Sequence, residues 1–503
     1  MRAEDPATRF AALQQRLGPL FREVYADPGQ PRTVVVVPSL SLDTETLAKV
    51  HGARHYEERL LSMLMLLRLP RTRLIFLSSV PIAPVVIDYY LHFLSGVPGA
   101  HARSRLCLLA AYDASPRPLT QKILERPRLL AQLRAAIGDP ASAHLSVFNA
   151  TELERDLALA LDIPLYACDP ALQHWGSKSG SRAAFRRAGV RLPDGIENLR
   201  SRAELVAALA QLRRRHPQLQ RLVVKHDEGF SGEGNALLDL RGAPEDHRLE
   251  AWIEEMLPTR LRFEAAGESF DRYMAKFEQL GGIAEVWIEG SGKRSPSVQM
   301  RVNPLGELEL ISTHDQILGG PSGQIFLGSS FPADPAYARD LHLAGERVGA
   351  VLRDVGVRGR FAIDFVSVPQ PGGGWIHHAI EINIRKGGTT LPYHMLQFLT
   401  NGRYEADTGR FQTPLGQTRC YYATDNLTRP SFRRLRPEDL IDILVEHRLH
   451  FDETRQTGVV FNLIGALSEF GKLGLVCVAD SVPAAHALYE QTVAILEAEA
   501  ERW

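Results

Sequence analysis

The sequence predicts a multidomain chain of mixed α/β and α+β class, and three observations predict it. Its 503 residues ask for about three domains at roughly 150 residues each. The first third alternates short β-branched runs with helical patterns, as a parallel sheet covered by helices does. Near residue 360 two alternating strands meet across a loop of Pro, Gln and Gly, and a smaller α+β unit follows. These features set expected domains at 1–165, 166–400 and 401–503. Hydrophobic content of 45% and charged content of 23% are ordinary for globular chains and exclude wholesale disorder. A formal net charge of -1 argues against a nucleic-acid or anionic-membrane partner.

In the first domain, strands are expected at 33–37, 74–77, 106–110 and 144–148, with helices at 54–67, 85–94 and 151–161. No GxGxxG turn joins them, so no dinucleotide site is expected there. The second domain opens with a helix at 177–188, capped by Ser177, and another at 201–215. A strand at 221–225 then runs into a Gly-rich loop. Strand-like alternation marks 298–302 and 308–311, and a helix is expected at 338–355. The last hundred residues offer strands at 458–467 and 474–478 and a closing helix at 484–498. Cys107, Cys168, Cys420 and Cys477 form no CxxC pair, which argues against a zinc ribbon and for a reducing compartment. The longest apolar run, 60–69, is interrupted by Arg68 and falls far short of the ~20 residues that span a bilayer. No leader is evident at the N-terminus, and the expected location is cytoplasmic.

One bias helps to find a site. Among 58 Lys+Arg only 8 are lysine, so a lysine in a glycine- or serine-rich loop stands out. The hairpin 360–368/375–385 carries the strongest signal. With Val368 facing Trp375, Asp364 sits opposite Ala379 and diagonal to Glu381, and Arg360 opposite Asn383. Arg360, Asp364, Glu381, Asn383 and Arg385 then share one face. Phe361, Ile363, Phe365, Ile380, Ile382 and Ile384 form the other. Two carboxylates and an amide on one rigid face suit Mg²⁺, with arginines to balance phosphate charge; a solvated face of self-paired charges has the same pattern. Lys225, at the end of its strand, precedes Gly229, Ser231, Gly232, Gly234 and Asn235, a loop able to bring backbone N–H groups onto a phosphate. A plain turn reads the same way. Lys178 lies at a helix start, where an anion is favoured. Glu285, Val286, Trp287 and Ile288 could offer backbone groups and apolar walls to a purine.

In order and spacing these pieces resemble the ATP-grasp superfamily, specifically its carboxylate–amine ligases of the peptide-ligase branch. Lys178, Lys225 with 229–235, 285–288, the run 312–321, and Asp364 with Glu381-Ile-Asn383-Ile-Arg385-Lys-Gly-Gly-Thr-Thr carry the resemblance. It implies an ATP-grasp fold with an N-terminal Rossmann-like pre-ATP-grasp domain and a small C-terminal α+β domain. It further implies that Lys178 and Lys225 contact ATP phosphates and that Glu285 to Trp287 bond adenine through the backbone. The glycine loop would close over the γ-phosphate, while Asp364, Glu381 and Asn383 bind one or two Mg²⁺. Arg385, Arg360 and Arg301 would steady the transferred phosphoryl group. Glu289 is the nearest candidate for the ribose. The expected reaction joins a small-molecule carboxylate to an amine, amino acids or peptides among them, through an acyl phosphate. An ATP-grasp kinase, an acyl-CoA-type ligase and a non-catalytic nucleotide scaffold are the rivals, and a homodimer is among the assemblies allowed. His377 and His378 alternate faces beside the acids, and a packing role is expected for the one turned toward them.

Overall fold

The computed structural model of the chain describes residues 5–229, 232, 234–265, 267–320 and 323–502, with Tyr25 described by its backbone alone. Four strands form a parallel sheet in the order β3-β2-β1-β4: β1 (Arg32–Val37), β2 (Thr72–Ser78), β3 (Leu106–Ala110) and β4 (Ala143–Val147). All six residues of β1 are buried, as expected for a central strand covered on both faces. The helix Glu152–Leu161 starts at a capping box, in which Thr151 and Glu154 satisfy each other's backbone donors. The helical pattern at 54–67 is instead a 3-10 run, Ala53–Arg68. Its charges serve tertiary partners: Glu57 accepts from Ser79, Glu58 accepts from the Gly465 amide, and Arg59 pairs with Asp425. Those contacts override the local helical preference.

A second sheet of five strands has the order β5-β9-β6-β7-β8, from β5 (Gly195–Leu199), β6 (Arg221–His226), β7 (Asn235–Asp239), β8 (Leu261–Phe263) and β9 (Gly282–Val286). The helices Arg202–Arg215, Leu249–Arg260 and Phe270–Leu280 pack their apolar residues against it.

The largest sheet has eight strands: β10 (Pro296–Val302), β11 (Leu308–Gly319), β12 (Ile325–Phe331), β13 (Gly359–Pro369) and β14 (Trp375–Asn383), then, after the short hairpin β15 (Arg403–Glu405) and β16 (Arg410–Gln412), β17 (Cys420–Thr428), β18 (Gly458–Asn462) and β19 (Lys472–Ala479). Its order is β14-β13-β10-β11-β12-β17-β19-β18. The last hundred residues therefore extend the central sheet through the β12–β17 pair, and the expected division at 400/401 falls within one sheet. One core unites Val34 and Leu61 from the first third with Leu391, Tyr421 and Leu475. Among the described residues no helix is long and apolar enough to cross a membrane.

Candidate functional site

The hairpin β13–β14 positions the acids. Pro369, rather than Val368, faces Trp375, so the ladder is one residue away from the expected register. A bulge then skips Ile380 and sets Asp364 directly opposite Glu381, with Asn383 opposite Ala362 rather than Arg360. The bulge also turns Ile380, expected in the core, into the wall of a cleft of about 620 Å³. Phe361, Ile363, Phe365, Ile382 and Ile384 pack in the core as expected. Asp364, Glu381, Asn383 and Arg385 all line the cleft.

Each acid already has partners. Asp364 accepts from Gln316 Nε2 at 2.8 Å and from Asn383 Nδ2 at 2.9 Å. Glu381 pairs with Lys178 Nζ at 2.7 Å, and Arg385 donates to Asn383 Oδ1 at 3.0 Å. Burial and the neighbouring Glu381 push the Asp364 carboxyl up. Burial acts the same way on Glu381, but Lys178, Lys225 and Arg385 outweigh it and hold that carboxyl low. Among the described residues no cluster of three or more His, Cys, Asp or Glu side chains is assembled for a metal. The Asp364 and Glu381 carboxylates and the Asn383 amide oxygen, side by side on β13 and β14, form a set that fits Mg²⁺ sharing its shell with water and phosphate.

Lys225, 4% exposed, reaches the cleft from the end of β6, and its Nζ pairs with Glu285. Glu285 also takes Arg182 Nη1 at 3.1 Å, so its side chain holds two buried cations, a role the sequence reading did not give it. The helix Lys178–Arg187 begins at Ser177, whose side chain accepts from the Gly180 amide at 3.0 Å. Asp227, just past β6, accepts from the Ser179 amide at 2.8 Å and pins that helix start beside the lysine strand. In the loop, Gly232 has φ +82, and a Cβ there would lie 2.6 Å from the Gln324 carbonyl oxygen, so only glycine fits. Asn235 Nδ2 donates to Gln324 Oε1 at 3.0 Å. Gly232 and Asn235 line the cleft, and Gly229 packs on Gly234. Ser231 lies outside the described residues.

Beside the lysine strand, Glu285, Val286, Trp287 and Ile288 line the same cleft. The Val286 amide is taken by the Asp194 carbonyl at 2.9 Å. Trp287 Nε1, by contrast, is buried with no partner among the described residues, an orphaned donor on the wall expected to meet a purine. Lys293 sits 4.5 Å above the Trp287 ring and donates to the Ile288 carbonyl at 3.0 Å. Glu289 instead pairs with Arg221 at 2.9 Å on the exposed surface. The sequence reading gave no role to Arg182, to Lys293 or to Gln316 within the run 312–321; Lys293 could have been found as one of the 8 lysines.

Arg360 and Arg301 stand opposite each other across the β10–β13 pair but do not line this cleft. They line an adjoining cavity of about 290 Å³, and Arg385 lines both spaces. Arg301 Nε also bonds Glu309 at 2.9 Å. Neither His377 nor His378 lines the cleft, and His377 Nδ1 bonds Ser367 Oγ at 2.6 Å, which fits the packing role.

Known proteins agree with this architecture. A family pattern described as IQCH-like ATP-grasp matches residues 170–255 and 247–407, and one described as PGM1 C-terminal domain matches residues 439–492. The chain is 30% identical to L-propargylglycine–L-glutamate ligase of Streptantibioticus cattleyicolor, over 97% of this chain and 98% of that one. Among solved structures, the biotin carboxylase domain of Hydrogenobacter thermophilus 2-oxoglutarate carboxylase, in complex with MgADP, ADP and bicarbonate, shares the fold at a TM-score of 0.54 and 11% identity, covering 89% of this chain and 86% of that one. Biotin carboxylase of Campylobacter jejuni does so at 0.52 and 13% identity, covering 91% and 90%. Sheet topology, a cleft facing acids with lysines, and kinship along the full length lead to one conclusion: the chain belongs to the ATP-grasp superfamily, in the carboxylate–amine ligase family that includes L-propargylglycine–L-glutamate ligase.

Proposed function

We propose that the protein joins a carboxylate to an amine at the expense of ATP, and that both substrates are amino acids or short peptides. One observation carries the reading: Asp364, Glu381 and Asn383 meet Lys178, Lys225 and Arg385 around a single cleft. The carboxylate oxygen attacks the γ-phosphorus, the bridging P–O bond breaks, and its electron pair leaves with ADP. The amine nitrogen then bonds the acyl carbon, the C–O bond to phosphate breaks, and the nitrogen loses a proton. Such transfer is largely positioning and charge neutralisation. Lys225 and Lys178 would hold the phosphates and Arg385 the transferred group, while the unpaired Trp287 Nε1 faces the base. The glycine loop, anchored on Gln324, would cover the γ-phosphate. Asp364, Glu381 and Asn383 would hold Mg²⁺, which supplies charge stabilisation to the phosphoryl oxygens. We place the nucleotide against residues 166–400, with 1–165 and 401–503 completing the substrate side.

The test is a screen of ADP release over pairs of amino acids and short peptides, with the acyl phosphate trapped by hydroxylamine. ADP release that needs both partners supports the ligase. Release that follows a phosphate acceptor or a thiol, with no amine dependence, favours the kinase or acyl-CoA alternatives and sinks it. Lys225→Ala should weaken ATP binding about tenfold or more, ~1.4 kcal/mol, in a direct titration. An unchanged affinity would count against the loop and lysine assignment.

A further inference from the structure

The adjoining cavity has a chemistry of its own. Its walls are largely apolar, with Leu20, Phe21, Met63, Leu66 and Phe398 among them. Arg32, Arg301, Arg360, Arg385 and Lys386 also reach it, and among the described residues no Asp or Glu does. Arg360 makes no hydrogen bond or ion pair with any described side chain, unlike Arg301, which Glu309 holds. His394, 8% exposed and also lining the cavity, has a buried Nδ1 without a partner among the described residues. An apolar chamber with an unanswered guanidinium and an orphaned imidazole nitrogen is built for a ligand with a hydrocarbon part and an anionic end.

Position decides which substrate this is. Arg360 lies four residues before Asp364 on β13, roughly 13 Å along the strand. A carboxylate held by Arg360 lies in the adjoining cavity and outside the cleft that the acids line, so it is not the one that takes the phosphoryl group. It is a spectator carboxylate, such as an amino acid keeps when it reacts through nitrogen. Arg385, at the boundary of both spaces, marks where the reacting end must emerge.

Resting on the ligase reading above, we infer that this cavity is the amine-substrate pocket and takes an α-amino acid with an apolar side chain, its carboxylate on Arg360 and its nitrogen toward Arg385. The size agrees, since about 290 Å³ is at the small end of ligand pockets (~300–1,000 Å³) and holds one amino acid rather than a peptide. The surroundings also favour the reactive form of the amine. Burial and Arg360 push the Lys386 ammonium down to about 7, so the chamber disfavours an ammonium. The neutral amine is the form that can attack an acyl carbon.

The test pairs binding with kinetics on the full chain. L-leucine should bind the wild type in calorimetry without ATP, and Arg360→Gln should weaken that binding at least tenfold, with partial recovery in Arg360→Lys. In the ligation assay Arg360→Gln should raise the KM for apolar amino acids about as much, while hydroxamate formation from the carboxylate partner and the KM for ATP stay within twofold. Leu66→Trp, which fills the chamber, should shift acceptor preference toward glycine and alanine. If Arg360→Gln instead impairs hydroxamate formation, or acceptors with charged side chains are preferred, the pocket assignment is overturned. Arg360-dependent leucine binding without any ADP release would leave the pocket standing and remove the ligase reading; ligation with leucine binding indifferent to Arg360 would do the reverse.

Discussion

Asp364→Asn should abolish ADP formation while leaving the protein at least as stable as the wild type. Asp364 and Glu381 face each other across β13 and β14, and each raises the cost of charging the other. Without nucleotide, replacing one carboxylate by its isosteric amide relieves that repulsion. The unfolding midpoint in urea should therefore hold or rise, as is common where a site stores strain for function. The catalytic loss should be large, because metal stabilisation of the phosphoryl group is worth several kcal/mol and about 4 kcal/mol corresponds to roughly a thousandfold in rate. Glu381→Gln should match the loss of rate but differ in stability. Glu381 answers Lys178, which is almost wholly buried, so its amide variant leaves that ammonium without its carboxylate and should unfold earlier. ADP release and urea unfolding on the two variants separate the roles. Full ADP release by Asp364→Asn would remove the metal assignment, and equal stability of the two variants would remove the account of the Lys178 pair.

How far the sequence could be read follows from which contacts are local. The hairpin is local, so its two faces were legible from alternation alone, and the acids fell on the expected face. Its bulge was not legible: Ile380 is apolar and fits a core strand, and only pairing with β13 shows that it is skipped. The lysine scarcity was a good guide. Lys225 and Lys293 line the cleft, Lys178 reaches Glu381, and Lys386 lines the adjoining cavity. Arg301 and Arg360 show the limit of face arguments. They share a sheet face with the acids, but residues of the first third, such as Phe21 and Met63, close a separate chamber over them. No pattern within the strand announces that packing. The union of β12 with β17 was likewise invisible, because almost a hundred residues separate two strands that pair edge to edge. Glu285 was legible for its backbone alone; that its side chain anchors the lysine strand depends on Lys225 and Arg182, which only the fold brings to it.

That anchor yields the second large expected effect. Glu285, Lys225 and Arg182 are each at most 4% exposed, and the glutamate takes one cation on each carboxylate oxygen. Arg182 has a second acid, since its Nε also bonds Glu197 at 3.1 Å. Lys225 has no other acid within ion-pair distance among the described residues. Glu285→Ala therefore strands a buried ammonium, and breaking a buried pair from one side costs about 3–5 kcal/mol. Urea unfolding should show that loss. The double variant Glu285→Leu/Lys225→Met should recover most of it, because an apolar pair of similar volume replaces a buried ion pair at little net cost. ATP provides the sharper discrimination. Phosphate charge beside Lys225 replaces the missing carboxylate, so saturating ATP should stabilise Glu285→Ala by more than it stabilises the wild type, for which a hundredfold excess over Kd gives about 2.7 kcal/mol. The double variant has no lysine to offer and should lose that extra gain. If Glu285→Ala unfolds at the wild-type urea concentration, the carboxylate is not what holds Lys225. If it unfolds early but gains nothing extra from ATP, Lys225 does not meet the phosphates.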